Sequence, residues 1–237
     1  MWDDPAVDWD RVELVVVRST WDWAERWREF LGWAEARRRI ENPHEVLQFG
    51  ADKERYLGAL AAAGVPIVPT TFVHAGEAFE PPGESFVVKP AISAGGRRSA
   101  RFETGDRAAG LLVGEIAGAG ETAMVQPLLT GVAETSLVYV DGAFSHSLAR
   151  RASLPSARAE EVLYLEEELA PYEASSVERR VADAALAVVP EPWLYARVDL
   201  LGGLVLELEV VEPSLYFAYG EGSAARFATA VAARLKP

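Results

Sequence analysis

Residues 194–201 and 204–211 read as two apolar strands joined at Gly202-Gly203, and the return strand, LVLELEVV, sets Glu207 and Glu209 two positions apart among leucines and valines. Side chains of a strand alternate between its faces, so both carboxylates point to the same side of the sheet. Asp199 lies near the end of the preceding strand, YARVDLL. Acids on an otherwise buried strand are unfavourable unless something neutralises them. Hard divalent cations do so, and Mg²⁺ takes carboxylates together with nucleotide phosphates. The plainer alternative is the solvated outer face of a hairpin, and the strand alone leaves both open.

The 237 residues around this hairpin are 50% hydrophobic and 25% charged, which is the mixture of a compact globular protein. With 36 acidic against 23 basic residues the net charge is -13 and no basic stretch is sustained, so neither nucleic acid nor an anionic membrane surface is expected as a partner. Cysteine is absent, which removes disulfides, thiolate metal sites and Cys nucleophiles. No apolar run approaches the roughly 20 residues of a transmembrane helix, and the start, MWDDP, carries acids where a signal peptide is basic. The expected location is the cytoplasm.

Residues 13–18 (ELVVVR) suggest a strand, followed by the capping residues Ser19, Thr20 and Asp22 and an amphipathic helix with Trp23, Trp27, Phe30, Leu31 and Ala34 on one face. Six of the seven tryptophans fall in the first 33 residues, and we read them as core rather than as a ligand-stacking surface. Asn42-Pro43 closes this unit. A second helix is expected over 51–63, ended by Gly64, with a short extended piece between Pro66 and Pro69. Strands are expected over 84–89, 122–126, 135–140 and 143–150, the last two joined by an Asp141-Gly142 turn, with helices over 107–117, 175–189 and 223–235. Residues 152–173 read as a mobile loop that could act as a lid.

Lys89 ends an apolar strand and is followed by PAISAGGRRS, whose Gly95 and Gly96 would let backbone N–H groups approach an anion; a simple turn is the alternative. His44, His74 and His146 are scattered, without zinc-ligand spacing, and no G-x-S-x-G elbow is present. His146 could be a substrate contact or a structural residue, and Glu212-Pro213-Ser214 could line an acceptor pocket or simply end a strand.

Taken in order, Lys53, Lys89, Ser93-Ala94-Gly95-Gly96, Val125-Gln126-Pro127-Leu128-Leu129, Glu134, Arg150, Asp199 and Glu207-x-Glu209 resemble the ATP-grasp superfamily of carboxylate-amine ligases over residues 42–237. The phrases FSHSLARR and ELEVVEPSLY look closest to its RimK and glutathione-synthetase-like branch, which includes cyclo-ligases that make cycloserine. The resemblance implies an α+β fold, two lobes (49–127 and 128–237) closing on ATP in a domain of residues 49–237, after a partial α/β domain over 1–48. It implies that Lys53 and Lys89 contact the nucleotide phosphates and that the 93–97 loop, with Ser93, Gly95 and Gly96, closes over them. Gln126, Pro127 and Leu128 would form the adenine hinge, with Val125 and Leu128 making an apolar slot. Glu134 would take the ribose hydroxyls, and Arg150 would hold the γ-phosphate during transfer. Asp199, Glu207 and Glu209 would hold Mg²⁺ or Mn²⁺.

The implied reaction activates a small-molecule carboxylate as an acyl phosphate for attack by an amine-type nucleophile. A non-catalytic ATP sensor and a structural protein with merely solvated acids are the alternatives. Two departures from the family pattern stand out. The last metal position is Glu209 where Asn is common, and the first strand and helix of the preceding domain are missing from the start, which suggests a truncated or mis-set N-terminus. An open sheet edge or a Trp-rich surface there could support a homodimer.

Overall fold

The computed structural model describes residues 1–152 and 167–235. At the N-terminus, β1 (Val15–Val16) and β2 (Ile40–Glu41) pair in parallel, with α1 (Trp27–Glu35) crossing between them. Phe30, Leu31 and Ala34 are the buried face of α1, and Trp2 and Trp23 pack with them in one aromatic core. The helix starts later than its capping residues suggest. Asp22 accepts from the Trp2 indole N–H at 2.8 Å and from Arg26 at 3.2 Å, so its carboxylate ties down a turn over 21–26 instead of capping.

Asn42-Pro43 opens a helix as well as closing the first unit. Pro43 precedes α2 (His44–Ala51), and Asp52 then caps α3 (Lys53–Ala62) by accepting from the Glu54 N–H at 3.0 Å. A Cβ on Gly50 would come within 2.2 Å of Val210, so only glycine allows α2 to approach the C-terminal hairpin this closely.

Two antiparallel sheets follow. The first contains β3 (Thr71–Val73), β4 (Ser85–Pro90), β5 (Ala100–Glu103) and β6 (Ala123–Pro127) in the order β3-β6-β4-β5, with α4 (Arg107–Gly118) packed on it. The second contains β7 (Glu134–Val140), β8 (Ala143–Ala152), β9 (Glu167–Pro171), β10 (Tyr195–Leu201) and β11 (Leu204–Glu209) in the order β11-β10-β7-β8-β9, with α5 (Ser176–Leu186) against β10 and β11 and α6 (Ser223–Arg234) against β7 and β8. The α+β expectation holds. β5 was not anticipated, because ARFE offers one buried side chain, Phe102. The expected 152–173 loop is a strand over its last part, where β9 pairs with β8; residues 153–166 lie outside the described residues.

The extended piece at 66–68 covers the outer edge of β11: the Val68 N–H donates to the Val205 carbonyl and the Val205 N–H to the Pro66 carbonyl, both at 2.9 Å. In β10, Ala196, Val198 and Leu200 face the core while Arg197, Asp199 and Leu201 line the opposite side. The return strand breaks its own alternation. Val205, Leu208 and Val210 all face the core, which a period of two forbids, and a bulge in the β10–β11 pairing after the Asp199–Glu207 pair restores the match. That extra residue turns Glu207 and Glu209 towards the cavity. Among the described residues no helix is long and apolar enough to cross a membrane.

Candidate active site

A cavity of 1440 Å³ lies between the two sheets, roofed by the 93–99 loop and walled on one side by residues 18–25. It exceeds the roughly 300–1,000 Å³ typical of single-ligand pockets, leaving room for a nucleotide and a second small molecule. All of the residues expected in the site line it: Lys53, Lys89, Ser93, Gly95, Gly96, Gln126, Pro127, Leu128, Glu134, Arg150, Glu207 and Glu209, except Asp199, which lies buried directly beneath.

The acids form one row. Asp199 stands opposite Glu207 across the hairpin and Arg197 opposite Glu209, and carboxylate oxygens of Asp199, Glu207 and Glu209 all lie within 4.8 Å of one another. Like charges directly across a ladder repel, and three cations answer them. Lys89 reaches from β4 of the other sheet to Glu207 at 2.7 Å. Arg150 meets Asp199 at 2.9 Å and Glu134 at 3.6 Å, and Arg197 grips both Asp199 oxygens and Glu209 at 2.7 Å. The Ser136 hydroxyl, next along the row, donates to Asp199 at 2.5 Å.

Titration follows this wiring. Burial opposes ionisation of Asp199, but Arg197 and Arg150 overcome it and hold the carboxyl below its usual range. Burial likewise acts against Glu207, and Lys89 with Lys53 reverses it, so Glu207 stays ionised well below that range. Glu209 differs: burial, added to the repulsion of Glu207 and Asp199, outweighs Arg197 and pushes it up to about 7. Two permanently charged carboxylates and a third that readily gains or loses a proton make a hard-cation donor set, fitting Mg²⁺ in chemistry and spacing.

The roof loop is anchored from below. Lys53, 7% exposed, donates to the Ser93 carbonyl at 2.8 Å and its hydroxyl at 3.3 Å, while Ser93 itself donates to the Pro90 carbonyl at 3.0 Å. Burial lowers the Lys53 pKa, against the pull of Glu207. Gly95 and Gly96 adopt φ of 62° and 73°, so the loop requires glycine for its backbone as well as for close approach. Arg97 at its tip meets Glu25 of the N-terminal wall.

The hinge differs in detail from the sequence reading. β6 sends Val125 into the core under α4, so the apolar slot beside the hinge is built by Val68, Val87, Leu128 and Leu206 instead. Gln126 faces the cavity and donates to the Thr70 hydroxyl at 2.9 Å, and the Leu128 N–H is already bonded to the Ser85 carbonyl at 2.9 Å.

Comparison with known proteins supplies the family. The chain is 37% identical to the cycloserine biosynthesis protein DcsG of Streptomyces lavendulae over 264 aligned positions, covering all of this chain and 88% of that one. The chain belongs to the ATP-grasp ligases. The crystal structure of D-cycloserine synthetase DcsG superposes with a TM-score of 0.83 at 34% identity, covering 99% of this chain and 88% of the other. A family model for the N-terminal domain of DcsG matches residues 1–42. Two more distant structures share the fold: D-alanine–D-alanine ligase of Bacillus anthracis, with a TM-score of 0.63 at 16% identity over 87% of this chain and 73% of that one, and the ATP-grasp ligase PsnB, with 0.60 at 18% over 93% and 78%.

In this ATP-grasp ligase several cavity residues went unnoticed in the sequence. Arg197 is 4% exposed and central to the charge network, and its spacing from Asp199, two residues along one strand, was the signal. Arg18, Trp21 and Trp23 line the wall opposite the hinge, although only bulk aromatic packing was read from that segment. His146 does not reach the cavity; its Nε2 bonds to the Leu215 carbonyl at 2.9 Å.

Proposed function

We propose that this ligase activates the carboxylate of a small amino-acid-like acid and forms a C–N bond in a cycloserine-type product, the class its relative DcsG is named for. One observation carries the reading: Asp199, Glu207 and Glu209 converge on the same cavity face that Lys89 reaches from the opposite sheet. The substrate carboxylate oxygen attacks the γ-phosphorus of ATP, the bond to the bridging oxygen breaks, and ADP departs, leaving an acyl phosphate. A nitrogen nucleophile then attacks the acyl carbon, expels phosphate and gives up its proton. Mg²⁺, for which Mn²⁺ is the natural substitute, would be held by Asp199, Glu207 and Glu209 and would supply charge neutralisation on the phosphates.

Each remaining role belongs to the chain itself. Lys89 would take up triphosphate charge where it now meets Glu207. Lys53 positions the Ser93–Gly95–Gly96 roof through its two bonds to Ser93, and Arg150, whose guanidinium presents several N–H groups, would hold the transferring phosphoryl. Gln126, Pro127 and Leu128 would flank adenine, and Glu134 at the start of β7 would accept from the ribose. Enclosure between the sheets would shield the acyl phosphate from water. We further place the division of the chain near residue 48, with α2 joining a 1–48 unit to the 49–127 and 128–237 lobes, and place its work in the cytoplasm, which an acidic, Cys-free, ATP-consuming protein suits.

The test is ADP release by the purified chain with Mg-ATP and a panel of small amino acids, their linear O-substituted serine derivatives and dicarboxylates, with mass spectrometry of the products. Sustained turnover with a cyclised product supports the reading. Nucleotide binding without turnover on any of them would favour the sensor alternative.

A further inference from the structure

Tyr216 follows β11 by seven residues, at the end of ELEVVEPSLY, and no role was read for it. Its backbone is left-handed, with φ 44° and ψ 45°, a conformation that a bulky aromatic residue rarely adopts. Such strain persists only where the surroundings over-determine it, and it concentrates at functional sites. Here the surroundings do so. The neighbouring carbonyls are pinned in succession: Ser214 accepts from Arg197 at 3.0 Å, Leu215 from His146 at 2.9 Å and Phe217 from the Ser223 hydroxyl at 2.9 Å, while Tyr216's own carbonyl accepts from the Tyr219 N–H at 2.9 Å. Gly220 makes room for this arrangement, since a Cβ there would lie 2.4 Å from the His146 ring.

The strained backbone delivers the ring to one place. It lines the cavity with the Arg197 guanidinium 5.4 Å from its centroid and that of Arg150 at 5.9 Å. These two cations repel each other, and both are held on Asp199. An aromatic face attracts guanidinium groups within about 6 Å, so one ring serves both. We infer that Tyr216 is a positioning residue that holds Arg150 and Arg197 together over the acid row, and that His146 acts through it by fixing the Leu215 carbonyl. This inference rests on the ligase reading only for its kinetic consequence.

Replacing Tyr216 separates strain from ring. Glycine adopts φ above zero freely, so Tyr216→Gly keeps the turn without the ring, and its kcat for ADP formation should fall about tenfold or more, with KM for ATP changed less than about threefold. Tyr216→Phe keeps the ring and should retain wild-type kcat. Wild-type turnover in the glycine variant, or a phenylalanine variant as impaired as the glycine one, overturns the inference. A measurement without substrate isolates it from the ligase reading. In ¹⁵N spectra of the arginine Nε–H groups, the Arg150 and Arg197 signals, assigned by single substitution, should be ring-current shifted in wild type and Tyr216→Phe and move towards the unshifted range in Tyr216→Gly. Unmoved signals in the glycine variant would overturn it even if no substrate is ever found.

Discussion

Asp199, Glu207 and Glu209 are kept on one face by strand parity and kept tolerable by Lys89, Arg150 and Arg197, so removing a cation and removing an acid should have different signatures. Lys89→Ala leaves Glu207 without its 2.7 Å partner, but the carboxylate is partly exposed and can be hydrated. ATP affinity in a titration should therefore drop by about tenfold, the change expected for about 1.4 kcal/mol, while the melting temperature shifts little. Equal nucleotide affinity in the variant would take Lys89 out of the phosphate site. The residues found from sequence were those with a one-dimensional signature, namely acids alternating in a strand, glycines in a loop and a lysine closing a strand. Arg197 and Tyr216 were missed because their importance comes from what faces them across the sheet, and Val125 was misplaced because strand phase, set by the β4 partner, decides which of two neighbours sees the cavity.

At the scale of elements, the β10–β11 hairpin is held by a side chain far away in sequence. Asn42, fully buried, donates to the Tyr195 and Val210 carbonyls at 2.9 and 2.7 Å and accepts from the Leu194 N–H at 2.7 Å, tying the start of β10 to the exit of β11. Asn42→Ala leaves these groups buried without partners, and we expect a loss of about 2–4 kcal/mol, or roughly 2–4 °C of melting temperature per kcal/mol for a chain of this length. Calorimetry showing an unchanged melting temperature would contradict this. A weaker tie joins α3 to the β3–β4 connection. His74 bonds to Glu77 and Glu54, and the hydrogen bond to Glu77 and the charge of Glu54 raise its pKa above 6.5. A raised folded-state pKa stabilises the protein below the unfolded value and the contribution disappears as pH climbs through the folded one. The melting-temperature gap between wild type and His74→Gln should be full at pH 5.5 and shrink as pH climbs beyond 6.5; a constant gap would show that the ring's packing matters and not its charge. Elements with strong local signals, such as the Asp141-Gly142 and Gly202-Gly203 turns and the start of the helix at Ser175, stand where the sequence places them. α2 and β5 are short and were hidden by a proline and by polar residues, and they form because neighbouring layers pack on them.

The whole molecule carries a net charge of -13, yet its main cavity gathers Lys53, Lys89, Arg97, Arg150 and Arg197 between two sheets. Glu134, Glu207 and Glu209 line the same cavity, so a polyphosphate would be held there together with its metal, and its binding should tie both sheets together. Mg-ATP ought to raise the melting temperature, by an amount that grows with ligand concentration as about 2.7 kcal/mol at a hundredfold excess over Kd, and EDTA should remove most of the effect. No shift with saturating Mg-ATP would mean that the cavity takes something else. The acid row remains the centre of the account, and Mn²⁺ is a direct reporter of it. With a non-hydrolysable ATP analogue bound, the fall of the free Mn²⁺ paramagnetic resonance signal should show tight binding to wild type and binding weaker by at least about 10–100-fold in Glu207→Gln, with both proteins equally folded by circular dichroism. Equal Mn²⁺ affinity in the two would show that the carboxylates of this hairpin do not hold the metal.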